Sequence, residues 1–165
     1  LVNELTTAEQ KDAVASYVAN IAGKSDLERT STGIDRGKTG VATGAFATHP
    51  LTGARTPVWV ADYVLASYGT GAVMAVPAHD ERDYAFAQLM DLPIRQVVRS
   101  EVVDEGKNMD LPFVHAGITI NSGPAFDGLS TAETKKAVVK ALEACGHGCE
   151  TTTYKLRDWV FSRQR

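Results

Sequence analysis

Four side chains that can do chemistry follow one another closely, directly after an apolar stretch with two glycines and a proline. They are His79, Asp80, Arg82 and Asp83, in the segment YGTGAVMAVPAHDERDYAFA (residues 68–87). Residues three apart share one face of a helix, so Asp80 and Asp83 are expected to converge on one ligand. Paired carboxylates at the end of an apolar strand suit a cation with an apolar neighbour, such as a free α-amino group beside an aliphatic side chain.

The apolar half of the segment supplies such a neighbour. Met74 and Val76 have the same parity along an extended chain and project to one face. The Gly-Thr-Gly stretch permits close approach of the backbone. A metal site is less well supported, because His79 with two acids matches no recognised ligand spacing.

A purely structural interpretation of the same residues stays open. Asp80 stands at the N-cap position of the helix that follows, where its carboxylate accepts from the N–H of Asp83. Asp83 suits the positive end of the helix dipole, although Glu81 already supplies negative charge there. Arg82 is then a solvated or ion-paired surface charge. In the same interpretation, Tyr68 is a core aromatic residue.

Helical periodicity and capping residues predict three helices. The first covers Thr6 to Ala22, with Thr7 and Gln10 as a capping box, Gly23 as the stop and an apolar stripe formed by Val14, Tyr17, Val18 and Ile21. The second covers Asp80 to Met90. The third begins at Ser130, where Glu133 completes a second capping box, and its predicted buried face comprises Ala137, Val138, Ala141, Leu142 and Cys145.

Short strands are predicted between these helices. Residues 41–76 are rich in Val, Ala, Thr and aromatic residues, and the HPLTGAR turn (residues 49–55) indicates a hairpin. Residues 93–98 and 117–123 predict two further strands. Grouped strands with inserted helices indicate an α+β domain built on a small barrel or a strongly bent sheet.

Composition limits the classes of function. A chain of 165 residues is long enough for one domain with its own core, and 44% hydrophobic with 22% charged residues is typical of a globular protein. A net charge of −3 argues against a domain that mainly grips a nucleic-acid backbone, but allows it to handle one nucleic-acid end. No apolar run approaches the ~20 residues of a membrane span, and no leader precedes Leu1, which is expected to be a fragment boundary.

Two cysteines flank a histidine in EACGHGCE (residues 143–150). A zinc knuckle is one interpretation, but a closed structural zinc site needs four ligands and the sequence has no second cysteine pair. The favoured interpretation is a helix end stopped by Gly146, with one half-buried thiol. Since there is no disulfide framework, a reducing compartment is expected.

The segment 68–87 resembles the core motif of the editing domain, also called connective peptide 1, of leucyl-tRNA synthetases. The isoleucyl and valyl enzymes share the GTG and Pro-Ala elements, whereas the AVMAVPAHDxRD form is similar to the leucyl branch. Three further segments resemble that family in the expected order: residues 39–65, 121–129 and 154–165. The helix before residue 39 resembles the family only in its pattern.

The resemblance implies post-transfer editing, the hydrolysis of the ester between a wrong amino acid and the 3′-terminal adenosine of leucine tRNA. It implies that Asp83 holds the α-ammonium group and that Asp80 and His79 line the same end of the pocket and order water or the ribose. Met74, Val76 and Tyr68 are implied as walls, and Arg82 as a support for the acids. Water is the implied nucleophile.

The resemblance also implies domains, cofactors and partners. Residues 1–153 correspond to the editing domain without its threonine-rich TTRPDT strand, which the TST at residues 30–32 does not replace, and residues 154–165 to an exit segment. No cofactor is implied for editing; ATP and Mg²⁺ are implied for the parent ligase, whose signatures this sequence lacks. Implied partners are the 3′ end of aminoacylated leucine tRNA and the rest of a monomeric synthetase, with no membrane.

Three hypotheses follow for the chain itself. The favoured one is an editing-domain portion of a cytosolic or organellar synthetase; the others are a free-standing trans-editing hydrolase and a non-catalytic truncated fragment. Because the threonine strand is missing, the isolated chain is expected to be inactive as an esterase.

Overall fold

A computed structural model describes residues 1–23, 39–64, 71–101 and 111–152 of the chain. Its helices are α1 (Val2–Leu5), a 3₁₀ turn (Ala8–Gln10), α2 (Lys11–Ile21), α3 (Glu81–Leu89) and α4 (Thr131–Ala144). Its strands are β1 (Gly40–Thr48), β2 (Arg55–Ala61), β3 (Val98–Arg99) and β4 (Ile118–Thr119). None of the helices in the described ranges is long and apolar enough to cross a membrane.

The first predicted helix is present but shorter and broken. The 3₁₀ turn replaces its first part, and the predicted capping box is wrong, since the side chain of Thr7 makes no cap hydrogen bond. The backbone N–H of Thr7 instead donates to the carbonyl of Thr43 at 2.9 Å and ties the turn to β1. In the predicted stripe Val14 and Ile21 are buried, whereas Val18 is exposed.

The predicted hairpin is confirmed. β1 and β2 pair antiparallel from Gly40 opposite Ala61 to Thr48 opposite Arg55, with a bulge between Ala42 and Phe46. The connecting turn is held by the His49 side chain, whose Nδ1 accepts from two backbone N–H groups. The hairpin is therefore defined by its turn chemistry and by cross-strand pairing.

An aromatic cluster joins the hairpin to α3. Trp59 of β2 and Tyr63, two residues beyond that strand, both pack on Phe86, with ring centroids 5.7 and 5.5 Å apart. Phe86 is 5% exposed and belongs to the small buried core. α3 itself confirms the predicted helix, with Asp80 as N-cap and Met90 as C-cap.

A second sheet pairs β3 with β4 antiparallel, Val98 opposite Thr119. β4 matches the strand predicted at 117–123, but β3 begins at the last residue of the strand predicted at 93–98. The backbone N–H groups of Val97 and Val98 donate to the side chain of His79 rather than to a neighbouring strand. That contact occupies the two N–H groups at the start of β3, while Val98 still pairs with Thr119.

α4 confirms the second predicted capping box. The Ser130 side chain accepts from the N–H of Glu133, and the Glu133 side chain accepts from the N–H of Ser130. The predicted buried face is only half-buried at residues 137–142, and Cys145 is exposed. Cys149 is also exposed, so the expected half-buried thiol is wrong. No group of His, Cys, Asp and Glu suited to a metal ion occurs in the described ranges.

The architecture is a mixture of helices and strands, as predicted. Within the described ranges the strands form two sheets of two strands each, so the barrel-like closure stays a prediction. Residues 72–76, predicted as a strand, run without strand pairing in this part of the chain. The predicted exit segment at 154–165 lies outside the described residues.

Gly117 occupies a place that no side chain fits. A Cβ atom there would lie 1.9 Å from the backbone oxygen of Arg99. The residue is fixed from the other side, since its N–H donates to the hydroxyl of Thr131 at 2.9 Å. Gly117→Ala is therefore expected to lower the free energy of unfolding by about 2 kcal/mol, the usual effect of overpacking.

Urea unfolding of the chain measures this change, and Gly148→Ala is the matched control. A Cβ at Gly148 meets only the Leu142 side chain at an ordinary 3.5 Å. Its effect is expected to stay within about 0.5 kcal/mol. Equal stability of the two alanine variants would contradict the packing around Gly117.

Candidate functional site

The site begins at the N-terminus of α3, where Asp80 acts as the N-cap. Its Oδ1 accepts from the backbone N–H of Arg82 at 2.8 Å and from that of Asp83 at 3.0 Å. Asp80 has an extended backbone with φ −137° and ψ 130°, as N-cap residues do. The predicted capping bond to Asp83 is confirmed.

The carboxylate of Asp83 joins three segments of the chain. Its Oδ1 accepts from the hydroxyl of Tyr63 at 2.8 Å, and its Oδ2 accepts from the backbone N–H of Val76 at 2.7 Å. An ionised carboxylate offers about four lone-pair positions, and these two bonds use two of them. Asp83 is half-buried, so its charge is fixed in place but retains capacity for a further donor.

Tyr63 is held as a hydrogen-bond donor. Burial raises the pKa of its phenol well above the ordinary value, and the hydrogen bond to Asp83 and the charges of Asp83, Asp80 and Asp62 raise it further. The hydroxyl therefore stays protonated at neutral pH and donates a hydrogen bond to the carboxylate. Sequence reasoning missed Tyr63, because a tyrosine just after a strand is indistinguishable there from a core residue.

An exposed apolar segment lies next to the carboxylate. Val73, Met74 and Val76 expose 52%, 65% and 47% of their surface. The N–H of Val76 is the one that Asp83 accepts, so the charge and the apolar segment are fixed side by side. This juxtaposition of an acid and exposed aliphatic side chains is what the sequence suggested for the binding of an amine with an apolar neighbour.

His79 has both ring nitrogens engaged. Nδ1 lies 2.8 Å from the carbonyl oxygen of Phe113, and Nε2 lies 3.1 Å from the backbone nitrogens of Val97 and Val98. The tautomer that satisfies all three contacts carries its proton on Nδ1. His79 thus connects the start of α3 to two distant segments, and its predicted contact with water or ribose stays a prediction.

A cavity lies between residues 75–79 and residues 93–97. Its volume is 240 Å³, and it is lined by Ala75, Val76, Pro77, Ala78, His79, Pro93, Arg95 and Val97. Most of this lining is apolar, with the exposed Arg95 as its cation. Val76 lines the cavity and also contacts Asp83, so the cavity adjoins the carboxylate.

The structure brings six of the seven predicted site residues to one junction: Met74, Val76, His79, Asp80, Arg82 and Asp83. The seventh, Tyr68, lies outside the described residues. Arg82 is exposed, and its guanidinium forms no ion pair with any residue in the described ranges. Its contact with Asp80 goes through its backbone N–H, and its predicted support of the acids stays a prediction.

Comparison with known protein families identifies the family to which the chain belongs. The family described as the leucyl-tRNA synthetase editing domain matches residues 1–143, which includes the whole junction at the start of α3. The chain belongs to this family of editing domains, as the motif at 68–87 predicted.

Individual relatives agree with that assignment. The chain is 54% identical to a leucine–tRNA ligase of Clostridium perfringens strain 13 over 165 residues, all of this chain and 20% of that protein. It is 52% identical over 171 residues to a leucine–tRNA ligase of Sorangium cellulosum and 49% identical over 165 residues to one of Synechococcus elongatus. The chain therefore spans about a fifth of the length of these relatives.

Proposed function

We propose that the chain is the editing part of a leucine–tRNA ligase and that it hydrolyses the ester joining a wrong amino acid to the 3′-terminal adenosine of tRNA(Leu). The observation that carries this proposal is the hydrogen bond of 2.7 Å between Asp83 and the N–H of Val76. It fixes a carboxylate beside an exposed apolar segment. An aminoacyl ester presents the matching pair of groups, an α-ammonium and an aliphatic side chain.

In this proposal the ammonium binds Asp83. The carboxylate keeps about two lone-pair positions after its bonds to Tyr63 and Val76, and an ammonium has three donors. A charge-assisted hydrogen bond of this kind is roughly twice as strong as a neutral one. The amino acid side chain lies against the exposed apolar surfaces of Met74 and Val76. Binding removes these surfaces from water, which is favourable in free energy.

The chemical step is hydrolysis by water. The water oxygen attacks the ester carbonyl, the bond to the ribose oxygen breaks, and that oxygen takes up a proton as the free amino acid leaves. No covalent bond to the protein forms. The protein contributes by positioning the ester and by electrostatic stabilisation, with Asp80 and His79 at the same end of the site and Tyr68 as a further wall. Arg82 supports the acids.

The need for such a site is energetic. One methylene in an apolar pocket changes binding by only about 1–3 kcal/mol, so a synthetic site alone selects poorly among similar aliphatic amino acids. A second, hydrolytic site improves the selection. In this proposal the editing reaction uses no cofactor, and ATP and Mg²⁺ serve the ligase reaction of the whole protein.

The remaining parts of the proposal concern architecture and partners. The two sheets of the described ranges belong to one strongly bent, barrel-like sheet. Residues 1–153 form the editing domain, and residues 154–165 lead towards the synthetic part. The partners are the 3′ end of aminoacylated tRNA(Leu) and the rest of a monomeric synthetase. Membership of the editing-domain family supports this arrangement.

Met74→Glu tests the proposed function. In the full-length protein that carries this chain, we expect deacylation of isoleucyl-tRNA(Leu) to fall about tenfold or more, because a charged side chain meets the aliphatic side chain of the substrate. Met74 is 65% exposed, so the free energy of unfolding is expected to change by less than about 0.5 kcal/mol.

The matched control is Leu89→Glu, which places the same charge at another exposed apolar position, 58% exposed at the far end of α3. It is expected to deacylate like the wild type. If the wild-type protein does not hydrolyse isoleucyl-tRNA(Leu), or if both glutamate variants hydrolyse it at the wild-type rate, the proposed site is wrong.

A further inference from the structure

Tyr63 bridges the hairpin and the site. It lies two residues beyond β2, and its ring packs on Phe86 with the centroids 5.5 Å apart and the planes tilted by 50°. Phe86 follows Asp83 by three residues on α3, so it lies on the same face of the helix. The tyrosine ring is thereby fixed on the face of α3 that carries the Asp83 carboxylate.

The hydroxyl at the end of this ring makes a directed contact. It donates to Oδ1 of Asp83 at 2.8 Å, while the other carboxylate oxygen is held by the N–H of Val76. The two donors come from different segments and form hydrogen bonds with different oxygens of the carboxylate. Together they determine both the position of the carboxylate and the rotation of its plane.

We propose that Tyr63 is a positioning residue for ammonium recognition, because it fixes the orientation in which the Asp83 carboxylate meets the α-amino group of the ester. This inference rests on the proposed function. In this inference Tyr63 acts through Asp83, to which its hydroxyl donates. If its hydroxyl is removed, one oxygen of Asp83 loses its donor, and the carboxylate plane rotates about the remaining bond to Val76.

Loss of this orientation has a measurable effect on catalysis. Positioning errors of ~1 Å lower rates by about a hundredfold, and here one of two tethers is retained. We therefore expect Tyr63→Phe in the full-length protein to lower kcat/KM for isoleucyl-tRNA(Leu) about tenfold. Phenylalanine keeps the ring contact with Phe86, so the packing of the hairpin on α3 is preserved.

A double-mutant cycle with Asp83→Asn separates this role from a structural one. If Tyr63 acts through the Asp83 charge, Tyr63→Phe lowers kcat/KM about tenfold in the wild-type background but less than about twofold in the Asp83→Asn background. Equal effects in both backgrounds would overturn the inference. Tyr84→Phe is the matched control, because the Tyr84 hydroxyl contacts Gln88 rather than Asp83; it is expected to match the wild type.

A change of substrate provides the second readout. An ester of tRNA(Leu) with the corresponding 2-hydroxy acid has the same side chain but no ammonium. For that ester Tyr63→Phe is expected to change kcat/KM by less than about twofold, since the group that Asp83 recognises is missing. A tenfold loss on both esters would mean that the hydroxyl supports the fold and not recognition, and would overturn the inference.

The two proposals fail in different ways. If wild-type protein hydrolyses isoleucyl-tRNA(Leu) and Tyr63→Phe does so equally well, the positioning role is wrong and the proposed function stands. If wild-type protein hydrolyses no such ester, the proposed function is wrong and the inference falls with it.

Discussion

Replacing Asp83 with alanine is expected to lower deacylation of isoleucyl-tRNA(Leu) by the full-length protein about a hundredfold and to leave leucine charging unchanged. A hydrogen bond to a charged group contributes about 1.5–3 kcal/mol, and each 1.36 kcal/mol corresponds to a tenfold change in rate. Asp83 also fixes the Val76 backbone at 2.7 Å, so its loss affects the apolar segment as well. Both effects lower the rate of the same reaction.

The control for this variant lies on the same helix. Glu81→Ala removes an exposed carboxylate from the first turn of α3, where Asp83 also lies. It tests whether any loss of negative charge at this helix end lowers the rate. Its deacylation rate is expected to equal that of the wild type, and its stability to change by less than about 0.5 kcal/mol. If Asp83→Ala hydrolyses the ester at the wild-type rate, as Glu81→Ala is expected to do, Asp83 has no part in the mechanism.

Local interactions were predictable from the sequence. The N-cap at Asp80 and the capping box of Ser130 and Glu133 involve residues at most three apart, and the structure forms both. The hairpin was equally predictable, because the turn residues at 49–55 determine which strands pair. Each of these features depends on a short stretch of chain whose chemistry favours one conformation.

The contacts that build the site were not predictable in this way. Tyr63 and Asp83 are 20 residues apart, and no periodicity of the sequence indicates that they meet. The capping box predicted at Thr7 failed for a related reason, since the N–H of Thr7 donates to β1 instead. The face of α4 that was predicted to be buried is only half-buried, because its burial depends on which other segments cover the helix. Tertiary contacts override local preference at these positions.

His79 shows how such a contact gives a predicted site residue a structural role. The resemblance implied that His79 lines the same end of the pocket as Asp80 and helps to order water or the ribose. In the structure both ring nitrogens bind backbone groups of Val97, Val98 and Phe113. These bonds hold residues 97–98 and 113 against the start of α3.

His79→Leu is therefore expected to lower the free energy of unfolding of the chain by about 3–4 kcal/mol, because two N–H groups and one carbonyl lose their partner in a half-buried place. Each unmade hydrogen bond of this kind costs about 1–3 kcal/mol. Urea unfolding measures the loss, and His115→Leu is the matched control. His115 is exposed, and within the described residues its interaction is a ring contact with Phe113, with the centroids 5.8 Å apart. Its replacement is therefore expected to change stability by less than about 0.5 kcal/mol. A His79→Leu chain as stable as the wild type would show that these three bonds contribute little to the free energy of unfolding.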